Sequence, residues 1–84
     1  MFLTVPELIV RALNAKAVDD LRTALELLER AERLDPFDVT VLSLLGSFYQ
    51  QRELSAQADE AFRRLLKIEP HHAAARSAYA RVFG

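Results

Sequence analysis

The sequence predicts an all-α fold: antiparallel helical hairpins stacked side by side, five helices in all. Three observations lead there. Hydrophobic residues make up 51% of the 84, yet there are only two Gly and three Pro, a composition that suits long helices with short connections. Apolar residues recur at three- and four-residue intervals, the helical period. The dipeptide Asp35-Pro36 has a counterpart in Glu69-Pro70, and the shift that relates them also pairs Leu8 with Leu42, Ala24 with Ala58, Leu28 with Phe62 and Ala31 with Leu65.

The first helix is expected over about 5–17. Thr4 and Glu7 form a capping-box pattern, and Pro6 fits a first turn, where no N–H is needed. Val5, Leu8, Ile9, Ala12 and Leu13 make its apolar stripe, with Val10 off it. Asp19 or Asp20 caps the second helix, whose inner stripe is Leu21, Ala24, Leu25, Leu28 and Ala31. Its outer face offers Glu26–Arg30 and Glu29–Arg33 as i,i+4 pairs. The residue before Pro36 avoids the α region, which ends this helix. Asp38 caps a third helix over about 39–51, carrying Leu42, Leu45, Gly46, Phe48 and Tyr49. Ser55 is expected to cap a fourth over about 56–68, with Asp59–Arg63 and Glu60–Arg64 as its outer pairs. A fifth, about 73–83, follows Pro70 and His71-His72.

Within the second unit, Leu45-Gly46, Tyr49, Ala58, Phe62 and Pro70 stand at offsets of one, four, thirteen, seventeen and twenty-five from Leu45. Leu45 and Tyr49 share a helical face. Gly46 costs its helix roughly 1 kcal/mol against Ala, and close approach of a second helix is the natural compensation. Ala58 is then the small residue facing the gap and Phe62 fills it. This spacing resembles the tetratricopeptide repeat, and the shift between the two units equals that family's period. The resemblance covers nearly the whole chain: one unit at about 5–38, a second at about 39–72 and a half unit at about 73–83. It implies a short right-handed superhelix. Structural signature positions are Ala24, Leu28, Pro36, Leu45, Gly46, Tyr49, Ala58, Phe62 and Pro70. The first unit departs from the pattern, with Arg11, Ala12 and Ala15 where the second has Leu45, Gly46 and Tyr49. Terminal repeats lack a neighbour on one side and often differ in this way.

Function classes narrow quickly. A chain this short forms one domain with a small core, stable by roughly 4–12 kcal/mol. A net charge of −1 argues against nucleic acid or an anionic membrane surface as partner. With no Cys there are no disulfides, thiolate metal sites or Cys nucleophiles. The first residues lack a basic segment, and Glu7 and Arg11 interrupt any apolar run, so no signal peptide is expected, and a cytoplasmic location is. No catalytic constellation is evident: two glycines make no phosphate loop, and no serine sits in a nucleophile elbow. Asp19-Asp20 reads as capping. His71 and His72 point in different directions with no third ligand nearby, so they read as a turn and helix start. Neither enzyme activity nor a cofactor or metal is expected.

The resemblance implies a protein-binding scaffold, an adaptor or chaperone-like holder. The first helices of successive units line a groove for a partner peptide or helix. By register that groove takes Ile9, Val10, Leu13 and Lys16, then Ser43, Leu44, Ser47 and Gln50, then Ser77, Ala78 and Arg81. Chaperone-tail binders of the family place Lys and Asn where this chain has Ile9 and Leu13, so no carboxylate clamp is expected. The groove suits an amphipathic segment. Alternatively, Ile9, Val10 and Leu13 simply pack within the fold. A second reading is a self-assembling module, a homo-oligomer or obligate hetero-complex, whose apolar ends Phe2, Leu3, Tyr79, Val82 and Phe83 drive association. Residues 1–42 carry five basic and eight acidic side chains, net −3; residues 43–84 carry six and four, net +2. That asymmetry would favour head-to-tail or antiparallel contact.

Overall fold

The structure, a computed structural model, describes residues 3–73 and 75–77. Four helices are bounded: α1 (Val5–Ala17), α2 (Leu21–Leu34), α3 (Val39–Gln51) and α4 (Ser55–Ile68). Residues 73 and 75–77 are helical and belong to a fifth, α5. There is no strand among the described residues. Helices α1 and α2 form one hairpin and α3 and α4 the next, with α3 also packed on α2. No helix among the described residues is long and apolar enough to cross a membrane.

Local chemistry sets each start. Thr4, Asp38 and His72 stand at equivalent positions of successive units, and each accepts from the amide three residues on: Thr4 Oγ1 from Glu7 at 3.4 Å, Asp38 Oδ1 from Val41 at 3.0 Å, His72 Nδ1 from Ala75 at 3.1 Å. At Thr4 the box is reciprocal, with the hydroxyl and amide both donating to Glu7, which holds the Glu7 carboxyl below its ordinary range. Asp20 caps α2 through Thr23 N at 3.2 Å, and that bond likewise lowers its carboxyl.

The turns within the hairpins are also copies of each other. Asp19 (φ 64°) and Glu53 (φ 60°) both take the left-handed conformation that reverses the chain after a helix. The next amides close the same ring: Asp20 N to Ala15 O at 2.9 Å and Leu54 N to Tyr49 O at 2.8 Å. Between α2 and α3, Asp38 N donates to Asp35 O at 3.3 Å, and after α4 His72 N donates to Glu69 O at 3.1 Å. The internal repetition is thus present in the backbone hydrogen bonds, not only in side-chain types.

Two sequence expectations are corrected. Ser55 does not cap α4: it is the first helical residue, and the cap is Leu54, which makes no side-chain bond. Leu54 stands where α2 has Asp20, and the turn is closed by the backbone amides of Arg52, Glu53 and Leu54. The outer charge pairing is also different. Glu26 turns back to Arg22 at 3.5 Å, not forward to Arg30, and Glu29 accepts from the Tyr49 hydroxyl instead of pairing with Arg33. Arg64 leaves Glu60 and pairs with Glu32 of α2. Only Asp59–Arg63 forms as expected, at 3.0 Å. Pairing within one helix is worth a few tenths of a kcal/mol, so a partner on a neighbouring helix readily wins.

The core runs through both hairpins. Leu8 and Ala12 of α1 meet Ala24, Leu25, Leu28 and Ala31 of α2; Val41, Leu42, Leu45, Phe48 and Tyr49 of α3 meet Ala58, Ala61, Phe62 and Leu65 of α4. Ala75 of α5 closes the far end at 1% exposure. Leu13, on the apolar stripe of α1 and mapped to the groove, is 44% exposed. Helix α3 has neighbours on both sides and buries six residues, against two in α1.

Gly46 sets the spacing of the second hairpin. A Cβ added there would lie 2.5 Å from Cε1 and Cζ of the Phe62 ring, inside van der Waals contact. Phe62 is 2% exposed and cannot swing into solvent. Gly46→Leu should therefore lower unfolding free energy by about 3 kcal/mol, as overpacked cores do. Urea unfolding followed by circular dichroism checks this, and unchanged stability would refute the packing. Phe62→Leu in that background should recover part of the loss.

Candidate functional site

The residues mapped to a groove lie on α1 and α3. They occupy matching positions: Ile9 with Ser43, Val10 with Leu44, Leu13 with Ser47, Lys16 with Gln50. Offsets of four and seven place Ile9, Leu13 and Lys16 along one side of α1, and Ser43, Ser47 and Gln50 along the same side of α3. Ile9 is half-buried, Leu13 is exposed, and Val10 is 57% exposed. Ser43, Leu44, Ser47 and Gln50 are all half-buried. Lys16 bridges the two helices, its Nζ 5.8 Å from the centroid of the Phe48 ring. Ser77 on α5 is exposed; Ala78 and Arg81 lie outside the described residues, as do Phe2, Tyr79, Val82 and Phe83. Leu3 is half-buried.

Charge is distributed unevenly. Helix α3 contains no Asp, Glu, Lys or Arg over its 13 residues. Its accessible side therefore offers hydroxyls, amides and one leucine. Charged residues of α2 and α4 meet Tyr49 of α3 at a small cleft of about 200 Å³, lined by Glu32, Tyr49, Gln57, Glu60, Ala61 and Arg64.

That cleft is a polar seam between hairpins. Tyr49 Oη donates to Glu29 Oε2 at 2.6 Å, Arg64 pairs with Glu32, and Arg64 Nη2 donates to Pro36 O at 2.7 Å. Burial, then the Glu29 carboxylate, push the Tyr49 hydroxyl well above its ordinary pKa of 10.0. A phenol held protonated and already donating is a structural tie. Sequence reasoning missed all three contacts because each joins residues 20 or more apart. The one legible signal was that Arg30 and Arg64 share a repeat position.

His72 is committed to its cap through Nδ1, and His71 is exposed. Among the described residues no group of three or more His, Cys, Asp or Glu is placed to hold a metal ion. No protein-family model matches the chain, and a search of curated proteins returns no match.

Tyr49→Phe should lower stability by about 1 kcal/mol, the usual worth of such a bond. The pH dependence has a definite sign. The folded protein keeps the Tyr49 proton where the unfolded chain releases it, so this stabilisation is complete below pH 10.0 and is lost as pH rises beyond it. Wild type should lose more stability between pH 9 and 11 than Tyr49→Phe, as read by thermal unfolding across that range.

Proposed function

We propose that this chain is a tetratricopeptide-type scaffold that holds a segment of another protein against the face formed by α1 and α3. The observation that carries this reading is the character of α3. A helix with no charged residue, flanked by an α1 edge where Val10 is 57% and Leu13 44% exposed, leaves in water a surface whose charge is confined to its α1 edge, with Lys16 at one end. Burying such side chains against a partner is worth about 1.5–3 kcal/mol each. The hydroxyls of Ser43 and Ser47 can fix the orientation of what docks there. The occupant is the apolar side of an amphipathic helix or extended peptide. The recurrence of caps and turns at equivalent positions supports the family assignment. The role is that of an adaptor or chaperone-like holder in the cytoplasm.

The test is capture of a partner from a lysate, then titration of that partner against variants. Leu13→Glu and Ser47→Arg put a charge on the docking face while leaving core residues untouched. Each should weaken binding by about tenfold or more, because a charge then has to be desolvated on docking. Circular dichroism should show an unchanged fold. Equal affinity of wild type and both variants would place the partner elsewhere. Sedimentation of the protein alone as an oligomer would favour the self-assembling reading instead.

A further inference from the structure

His72 starts α5 by accepting from the Ala75 amide through its ring nitrogen Nδ1, at 3.1 Å. Thr4 and Asp38 do the same for α1 and α3 with oxygen atoms. The backbone around His72 also repeats the start of α3. Its amide donates to Glu69 O at 3.1 Å, as that of Asp38 donates to Asp35 O. Its carbonyl accepts from Arg76 N at 3.0 Å, as that of Asp38 accepts from Leu42 N. One task is thus given to three different side chains at three equivalent places, and they differ in how they respond to acid.

An imidazole nitrogen accepts a hydrogen bond only while it carries no proton; in the charged ring both nitrogens donate. Nδ1 of His72 faces an N–H, so the neutral ring caps α5 and the charged ring cannot. Protonation would set two N–H groups against each other and place a positive charge at the positive end of a helix. Imidazoles as a class change charge around pH 6.5. A threonine hydroxyl has nothing to titrate there, and carboxylates keep their charge down to about pH 4. Of the three caps, the one at His72 is withdrawn by mild acid.

The surrounding groups do not offset this. Helix α4 runs out through Lys67 to Glu69, His71 precedes the ring in the turn, and Arg76 follows one turn into α5. Helix α3 brings no Asp, Glu, Lys or Arg, and its cap, Asp38, is bonded to the Val41 amide. Among the described residues no carboxylate, Glu69 included, pairs with either histidine. A charged ring at position 72 therefore has no counter-ion waiting for it.

The turn that the cap holds is lightly anchored. Ala75 is buried to 1% exposure and joins the core cluster, while residues 73, 76 and 77 are exposed. Its counterpart in α3 is Val41, which brings a larger apolar side chain to the same place. Less apolar burial leaves the start of α5 more dependent on its cap than the start of α3. We propose that His72 is a pH-sensitive latch: protonation of its ring releases the first turn of α5 from the end of the second hairpin, and the rest of the stack stays closed. The capped turn excludes a proton that the released turn takes up, so the latch is closed at neutral pH and opens as pH falls. Nothing in it requires the docking face proposed above.

The test is two-dimensional NMR of the full chain, titrated from about pH 7.5 to about pH 5.5 across the imidazole range. The Ala75 amide should shift upfield, and its protection against hydrogen exchange should fall by about fivefold, the usual effect of losing one cap. Both changes should follow the titration of the His72 ring protons. The Glu7 and Val41 amides, capped by Thr4 and Asp38, are references within the same molecule and should keep their protection. His72→Asp should hold the Ala75 amide protected over the whole range, and His71→Gln should respond as wild type does. The proposal is overturned if the Ala75 amide is unchanged while the His72 ring titrates, or if Glu7 and Val41 lose protection in parallel with it. It is equally overturned if the response survives in His72→Asp or disappears in His71→Gln.

Discussion

Phe62 lies against the backbone of α3 because position 46 has no side chain, and the rest of the second hairpin follows from that contact. A ring pressed to within 2.5 Å of a would-be Cβ fixes the distance between α3 and α4. That distance decides which neighbours fit: Ala58 and Ala61, both small, lie on the buried side of α4 beside the ring. With α4 held close, Leu45 and Tyr49 above and below the glycine are driven inward, to 1% and 7% exposure. The helix bearing the glycine loses roughly 1 kcal/mol of intrinsic stability, and burial of an aromatic side chain more than offsets it. The first hairpin reaches a similar end with different parts. Ala12 stands at the position of Gly46 and Leu28 at that of Phe62, a slightly larger residue facing a smaller one.

The two hairpins are then held in register by polar contacts as well as by the core. Tyr49 contributes its ring to the apolar interior and its hydroxyl to Glu29, so one side chain joins α3 to α2 in two ways. Arg64 joins α4 to the end of α2 and to the connection beyond it. Apolar packing alone would tolerate a sliding of one hairpin past the other. Directional bonds at both a helix body and a helix end do not. The individual ion pair is partly exposed and worth little alone. Its effect is to select one arrangement among several of similar burial.

Much of the fold was legible because its determinants are local. Thr4, Asp20 and Asp38 announce helix starts through chemistry that needs only the next three residues, and Pro36 ends a helix through its own ring. The internal shift made Gly46 and Phe62 conspicuous before any coordinates. What was not legible involved competition. Glu26, Glu29 and Glu60 each sit one helical turn from an arginine, and spacing assigns every one of them a partner. The structure gives Glu26 to Arg22 and Glu29 to Tyr49, and Glu32 takes Arg64 away from Glu60 once the hairpins stack. Ser55 misled for a related reason: a good capping residue stood one position away from where the left-handed Glu53 turn fixes the helix start. The groove positions rest on the family resemblance. The alternative, that Ile9, Val10 and Leu13 pack within the fold, does not hold for Val10 at 57% and Leu13 at 44% exposure.

The uncharged character of α3 has a physical origin that also explains why its accessible side makes a candidate site. A central helix contacts α4, the first hairpin and the segment that follows, so most of its circumference is already apolar. What remains in contact with water is a narrow strip, and half-buried Ser43, Ser47 and Gln50 fill it. A lysine or glutamate there would gain hydration but would stand between any partner and the leucines beside it. Helices α2 and α4 have one broad side in water and carry nearly all of the ion pairs. Helix α2 lies between α1 and α3, and α1 carries Glu7, Arg11 and Lys16 into water, so the uncharged strip belongs to α3 alone. A surface of that kind costs little to desolvate, and a partner helix needs no more than its own apolar stripe to use it.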